Sequence, residues 1–204
     1  MQFKRLQRPA MFLTLLLAIV LGLGFQSSNN NFGGPGERLV GGPICLSAAG
    51  NTLGPMNIQG VPTGSVIRNV VEIPGYGAPG DTLAYRFNGD TGNNYRYWFL
   101  TAAPGGTTFA PGAVANTTDR IKLGAADTQN PRLIETYIMD VPTKAEKLVL
   151  LAPLTGTGAV GTQANIDLGN GAWFSGANTP VTSITLFTST ANMAKGTCMT
   201  AYAR

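Results

Sequence analysis

From residue 37 onward, no segment repeats its apolar residues at the 3.6-residue spacing of a helix over three turns. Short runs of alternating or β-branched residues recur instead, and each run is stopped by Gly, Pro, Asn or Asp. In residues 82–88, for example, Leu83, Tyr85 and Phe87 would point to one side of an extended chain and their neighbours to the other. This pattern predicts short β-strands joined by tight turns.

The composition agrees with such a fold, since the 204 residues include 27 Gly and 13 Pro and only 12% are charged. We therefore predict an all-β, antiparallel, jelly-roll-like β-sandwich over residues 37–204. The continuous apolar run LVLL, residues 148–151, predicts a strand that is covered on both faces. Loops are predicted at residues 103–112, 155–161 and 169–180. Strands are predicted at residues 65–73, 82–88, 95–100, 132–141, 147–154, 163–169, 181–189 and 197–203.

The formal net charge of +4 is concentrated at the N-terminus, where Lys4, Arg5 and Arg8 precede the first acidic residue, Glu37. The rest of the chain carries 11 basic and 10 acidic residues and is nearly neutral. Without a basic stripe to neutralise phosphates, the chain is predicted to have no nucleic-acid partner.

The chain contains no histidine. This excludes His-dependent catalytic triads, His-ligated zinc and a His general base. The ten acidic residues are scattered, and the sequence brings no two of them together. We predict neither enzymatic activity, nor a cofactor, nor a metal site.

The N-terminal residues 1–25 combine a basic start with an apolar run over residues 10–25. As a helix these 16 residues would be about 24 Å long, against a hydrocarbon core of about 30 Å. The run predicts either a retained membrane or assembly helix or a cleaved signal peptide, followed by a flexible linker at residues 26–36. Its apolar character comes chiefly from Ala10, Leu15, Leu16, Leu17, Ile19, Val20 and Leu21.

Two cysteines, Cys45 and Cys198, lie near opposite ends of the predicted sandwich. First and last strands often pair in such sheets, so a disulfide between them is a candidate. The alternative is two unpaired, buried thiols that act as small apolar side chains.

The stretch RFNGDTGNNYRYWFL, residues 86–100, places a polar segment between two alternating runs. Asn88, Gly89, Asp90 and Gly92 are residues that turns require, so the stretch predicts a β-hairpin. A calcium loop would need a distal bidentate carboxylate, and no acid follows Asp90 for more than twenty residues. We therefore favour the turn.

The aromatic residues of this stretch and of residues 169–176 suggest a ligand site. Arg96 and Trp98 would share one face of their strand, and Tyr95, Tyr97 and Phe99 the other, so one set must line the core. Trp98, Arg96 and Trp173 are the candidate ligand-binding residues, with host glycan as the candidate ligand. The alternatives are burial of Trp98 and an anchoring role for Trp173.

Three stretches, residues 81–100, 137–151 and 170–204, resemble a jelly-roll-like domain of phage virion proteins, which occurs in minor structural and receptor-binding parts of tails. The resemblance matches Arg86 to Tyr95 to a hairpin motif and Trp173 to a loop tryptophan. It matches residues 183–187 and 192–202 to the closing strands. It implies no catalytic residues. The basic and apolar N-terminus departs from the family pattern and suggests attachment to a lipid bilayer.

Three functions follow as hypotheses. The first is a non-enzymatic virion protein, a membrane-anchored spike, vertex or coat component that forms homo-oligomers and contacts other virion proteins. The second is a secreted or cell-surface lectin-like module. The third is a filament subunit in which residues 10–25 form a buried helical core.

Overall fold

A computed structural model gives the arrangement of most of the chain. Its described part contains twelve β-strands and no helix, and every strand pair is antiparallel. The prediction of an all-β, antiparallel sandwich is therefore confirmed for this part. The described residues are 36–62, 64–75, 82–102, 110–125, 132–139, 146–154, 166–174, 179–190 and 192–204. The strands are β1 (Arg38–Cys45), β2 (Thr52–Asn57), β3 (Val66–Ile73), β4 (Thr82–Phe87), β5 (Tyr95–Ala102), β6 (Ala110–Thr118), β7 (Ile121–Ala125), β8 (Arg132–Met139), β9 (Glu146–Leu154), β10 (Ile166–Phe174), β11 (Ser183–Thr188) and β12 (Cys198–Ala203).

The strands form two sheets that enclose a common core. The larger sheet has eight strands in the order β1-β12-β3-β8-β9-β10-β5-β6, and the smaller has four in the order β2-β11-β4-β7. Consecutive strands such as β1 and β2, or β4 and β5, lie in different sheets. The chain therefore crosses repeatedly between the two layers.

The core consists of the inward side chains of both sheets. Tyr85, Phe87 and Ile121 of the smaller sheet and Tyr95 and Ile134 of the larger are fully buried in one cluster. Alternation along each strand explains this, because every second side chain points between the layers.

Gly171 allows the sheets to approach closely at β10. A Cβ atom built at this position would lie 2.8 Å from Cγ2 of Ile121 in the opposite sheet and 3.1 Å from the carbonyl oxygen of Arg96. A side chain here would therefore push β10 away from β7.

The four strands that the sequence analysis did not predict are the edge strands of the two sheets, β1, β6, β2 and β7. Three of them contain proline, at Pro43, Pro55 and Pro111. Proline lacks the N–H that a central strand needs, and edge strands and bulges tolerate it. The pairing of β1 with β12 and of β2 with β11 also shifts register, which removes the clean alternation that marks a strand in a sequence.

Two predicted loops are partly wrong. Residues 169–174 continue β10 and pair with β9 and β5 on both sides, although Gly169, Asn170 and Gly171 suggested a loop. Residues 110–112, predicted as loop, begin β6. In both places tertiary pairing outweighs the low strand propensity of glycine and proline. The predicted N-terminal helix at residues 1–25 lies outside the described residues, and so do residues 26–35 of the predicted linker.

Candidate functional site

The most unusual surface of the described structure is the solvent side of β5, β8, β9 and β10 in the larger sheet, which we call the outer face. Paired residues of an antiparallel sheet point to the same side. Tyr137 pairs with Leu150, Leu150 with Asn170, and Asn170 with Trp98, so these four side chains form one row across the outer face. The alternation of each strand then decides which of its other residues share that side.

A second row runs parallel to the first. Met139 pairs with Leu148, Leu148 with Ala172, and Ala172 with Arg96. Leu168 and Phe174 lie on the same side of β10 as Ala172, each an even number of residues away. The outer face is therefore rich in large apolar side chains.

These apolar side chains are exposed. Among the described residues, seven large hydrophobic side chains are exposed, and six of them lie on the outer face: Trp98, Met139, Leu148, Leu150, Leu168 and Phe174. A soluble monomer usually scatters such residues singly, whereas a contiguous patch marks an interaction site.

The prediction that residues 148–151 are covered on both faces is wrong. Val149 and Leu151 are buried in the core, but Leu148 and Leu150 are 48% and 49% exposed. A continuous apolar run is expected for a strand that is covered on both faces. It is equally expected for a strand whose second apolar face is exposed in a single copy. Because the two cases share one sequence pattern, the exposed apolar residues Leu148, Leu150, Met139, Leu168 and Phe174 are not revealed as site residues by the sequence.

A groove of about 400 Å³ runs across the outer face. Asn170 and Ala172 line it on β10, the strand between β9 and β5, and form its floor, of which Ala172 is only 1% exposed. Leu148 and Leu150 of β9 form one wall, which we call the leucine ridge, and Arg96 and Trp98 of β5 form the other. Since β9 and β5 are both neighbours of β10, the walls stand about 9–10 Å apart.

Trp98 and Arg96, two of the predicted ligand-binding residues, thus share the outer face, whereas Tyr95 and Tyr97 are buried. Trp98 is 38% exposed. The guanidinium of Arg96 forms an ion pair with Glu146 and lies 4.9 Å from the ring centre of Phe174. The wall therefore combines an indole with a cation that already has a partner.

The margin of the outer face next to β3 also carries paired charges. Arg68 of β3 forms ion pairs with Glu135 of β8, at 2.7 Å, and with Glu37, at 3.0 Å. The hydrogen bond from Arg68 is the main reason why the pKa of Glu135 lies below its usual value, and a bond from the Tyr137 hydroxyl adds to it. Each of these charges, like Arg96, therefore has an oppositely charged partner within the chain.

Trp173, the third predicted ligand-binding residue, lies on the opposite side of the sheet and is only 2% exposed. Its ring packs against Phe87, with ring centres 5.6 Å apart, and stacks on Tyr95 at 6.3 Å. Its Nε1 donates a hydrogen bond of 2.8 Å to Oδ2 of Asp90. These contacts correspond to the anchoring alternative, and a buried indole offers no surface to a glycan.

The turn at residues 88–94 does not close a hairpin, contrary to the prediction. It joins β4 of the smaller sheet to β5 of the larger, and these strands do not pair with each other. Asn88 adopts a positive φ of 52° and is followed by Gly89 at 67°. The turn residues were recognised correctly, but the same residue types suit a connection between sheets as well as one within a sheet.

Asp90 organises this inter-sheet turn. Its carboxylate accepts hydrogen bonds from Trp173 Nε1, from Asn94 Nδ2 at 3.0 Å and from the backbone N–H of Gly92 at 2.8 Å. Partial burial acts to raise the pKa of Asp90, but these donors together outweigh it and hold the pKa below its usual value. Asp90 is therefore a structural carboxylate that depends on its negative charge.

Tyr95 and Asn88 complete the turn. The hydroxyl of Tyr95 accepts a hydrogen bond from the backbone N–H of Phe87 and lies within hydrogen-bond distance of the carbonyl oxygens of Phe87 and Asp90. Asn88 Oδ1 accepts from the N–H groups of Thr182 and Ser183 and thereby links the turn to the start of β11. The side chains of residues 88–95 thus stabilise the junction of the two sheets.

Replacing Asp90 by Asn is expected to lower the free energy of unfolding at pH 7 by about 1–3 kcal/mol, because hydrogen bonds to a charged acceptor are lost. The pKa of Asp90 is lower in the folded chain than in the unfolded chain. Its charge therefore stabilises the fold above about pH 4, and this contribution is lost as the pH falls through the folded pKa. Urea unfolding at pH 7 and at pH 3 should show the difference between Asp90→Asn and the parent shrinking at low pH. A difference that is the same at both values would contradict this role.

A second carboxylate cluster lies on the smaller sheet. Asp119 accepts hydrogen bonds from Arg120 and Arg86, and these hold the pKa of its carboxyl at about 2. The guanidinium groups of Arg86 and Arg120 also lie over the ring of Phe187, at 4.5 Å and 5.1 Å from its centre, respectively. A single carboxylate therefore pairs with two guanidinium groups, both of which also contact an aromatic ring.

Cys45 and Cys198 form a disulfide in the structure. They are register partners on the antiparallel strands β1 and β12, with their Cα atoms 4.1 Å apart. The bridge therefore ties an edge strand near the start of the described chain to the last strand.

Among the described residues, no group of three or more Cys, Asp or Glu side chains is arranged to hold a metal ion. No helix that could cross a membrane is found in the same part of the chain. No protein-family model matches the chain, and no curated protein matches it either.

Proposed function

We propose that this protein is a non-enzymatic structural component of a phage virion, with a jelly-roll domain at residues 37–204 that forms a spike, vertex or coat element. Residues 10–25 attach it to a lipid membrane, which would give the protein a membrane-associated place in the virion. Its partners are other copies of itself and other virion proteins. The observation that carries the proposal is the order of the strands.

The order is that of a jelly roll once two inserted strand pairs are set aside. Without β5, β6, β9 and β10, the sheets read β1-β12-β3-β8 and β2-β11-β4-β7. In each sheet a strand from the start of the chain lies beside one from its end, as in the two Greek keys of an eight-stranded jelly roll. The inserted pairs then extend the first sheet on one side and create the outer face.

Viral capsid proteins are one large group of jelly-roll proteins, and lectins are another. A fold by itself does not establish a function. Two further features support the virion assignment. One is the sequence resemblance of residues 86–95 to the virion-protein motif, although here these residues join the two sheets and form no hairpin. The other is the apolar outer face, which suits a subunit of an assembly.

The proposal is tested by protein mass spectrometry of purified virus particles from the organism that carries this sequence. Peptides from residues 37–204 are expected in the particles, at a copy number consistent with a structural component. Treatment with a mild detergent should release the protein together with lipid if residues 10–25 hold it in a membrane. Its absence from intact particles, with secretion by uninfected cells, would contradict the proposal.

Glycan binding is the second candidate function, and the exposed indole of Trp98 beside Asn170 favours it. A sugar ring stacked on Trp98 would change tryptophan fluorescence saturably, and Trp98→Phe should abolish that change. Since Trp173 is buried, it serves as an internal reference. No response to a broad set of glycans would exclude this candidate.

A further inference from the structure

We propose that the outer face is a self-association surface, on which the leucine ridge of one copy packs into the groove of a second copy about a two-fold axis. The choice of a second copy as the partner rests on the function proposed above, in which the protein is a subunit of an assembly. The geometry of β5, β8, β9 and β10 supplies the rest.

The apolar area fits a protein interface. The six exposed apolar side chains are between 38% and 49% exposed, and together they present an apolar surface on the order of 500 Å². That is at the upper end of what monomers expose. A standard interface buries about 800 Å² on each partner and is roughly 60% apolar, so the patch supplies about the required apolar share.

The shape fits a second copy of the same chain. A two-fold interface requires that each copy offer both a projection and a matching depression. Here the leucine ridge stands directly beside the groove over Asn170 and Ala172, one strand spacing away. A two-fold axis between them would place each ridge in the groove of the other copy.

The charges allow the face to be covered. Burying an unpaired charge is costly, whereas a charge that already has a partner needs less from the second copy. Arg96 of β5 is paired with Glu146 of β9 across β10, at one end of the groove, and Glu135 is paired with Arg68 at the β3 margin of the outer face. A sugar would instead need several polar partners, whereas most of the groove lining is apolar and Arg96, one of its polar groups, already pairs with Glu146.

The test measures the protection of Trp98 in the full chain. Residues 10–25 offer a second route to association, so mass alone cannot identify the surface. Acrylamide quenching of tryptophan fluorescence can do so, because Trp98 is exposed and Trp173 is buried in a single copy. We expect Trp98 to become protected as the concentration rises, in parallel with the formation of dimers in sedimentation equilibrium.

Three variants define the contact. Leu150→Glu is expected to weaken the dimer at least about 100-fold, because a two-fold contact buries the new charge twice. Ala172→Leu adds apolar surface but fills the groove, so it should also weaken the dimer by about 10-fold or more. Leu39→Glu is the matched control: Leu39 is 46% exposed on the same sheet, but it lies four strands from Leu150, about 19 Å away. It should leave the dimer unchanged.

Each other outcome would overturn the proposal. Equal quenching of Trp98 at all concentrations would mean that the face stays open. Tighter association of Ala172→Leu would indicate non-specific apolar contact. Protection of Trp98 at a monomeric mass would mean that a glycan or another part of the chain covers the face. If the protein forms assemblies larger than dimers, and Leu150→Glu prevents them, the contact would be head-to-tail instead of two-fold.

The result can be separated from the test of the proposed function. If the protein is found in virus particles but Trp98 stays exposed, only the self-association surface is wrong. If dimers form through the outer face but particles lack the protein, the surface stands and the virion role fails.

Discussion

Loss of the Cys45–Cys198 disulfide is expected to lower the free energy of unfolding by about 5 kcal/mol. The bridge closes a loop of 153 residues, and the chain-entropy model assigns about 4.7 kcal/mol to a loop of 100 residues. Typical domains are stable by only about 5–15 kcal/mol, so the bridge would supply a large share of the total. Its position between an edge strand and the last strand means that reduction also frees both ends of the described chain to separate.

The measurement is urea-induced unfolding followed by tryptophan fluorescence, with and without reductant. The double variant Cys45→Ser/Cys198→Ser should unfold at the midpoint of the reduced parent and should not respond to reductant, which makes it the control. Equal midpoints for the oxidised and reduced parent would show that the bridge contributes little. Intact mass after alkylation without reductant under denaturing conditions checks that the bridge is present in the natural protein.

The second large effect is expected from Trp173→Ala, which should lower the free energy of unfolding by about 3–5 kcal/mol. The substitution leaves a cavity beside Phe87 and Tyr95 and removes the Nε1 donor from Asp90. Because Trp173 lies in the larger sheet and Phe87 in the smaller, the damage falls on the junction between the layers.

The matched control is Trp98→Ala, which removes the same side chain from the outer face. Since Trp98 is partly exposed, its loss should cost about 1 kcal/mol or less. Unfolding in urea at a concentration low enough to keep the protein monomeric measures both. Similar losses for the two variants would contradict the assignment of one tryptophan to the core and the other to the surface.

The central strands could be predicted from the sequence, and the edge strands could not. β3 is rich in β-branched residues, β4 alternates between large and small or polar residues in the sequence, β5 begins with aromatic residues at every second position, and each of these strands has a neighbour on both sides. β1, β2 and β6 contain proline, and β1 and β2 shift register, which an edge strand tolerates because only one side is paired. The sequences of these edge strands therefore lack the regular strand pattern that is required where a strand pairs with neighbours on both sides.

The candidate site was only partly predictable for a different reason. The sequence placed Arg96 and Trp98 on one face and the tyrosines on the other, since alternation is a local property. It did not bring Asn170, Ala172, Leu148 and Leu150 beside Trp98, because strand order and register join residues that are more than forty positions apart. Trp173 was likewise assigned to a loop, because its burial depends on β9, β5 and the inter-sheet turn.

The sequence by itself determined the class of fold: a two-residue period, frequent turn residues and the lack of a helical period leave antiparallel β structure as the outcome. The tertiary structure decided which faces of the strands are covered. The apolar run at residues 148–151 has the same pattern whether its second face is buried or open, and only the position of β9 in the larger sheet distinguishes the two. Leu148 and Leu150 are exposed because both sides of β9 are apolar while only one faces the core.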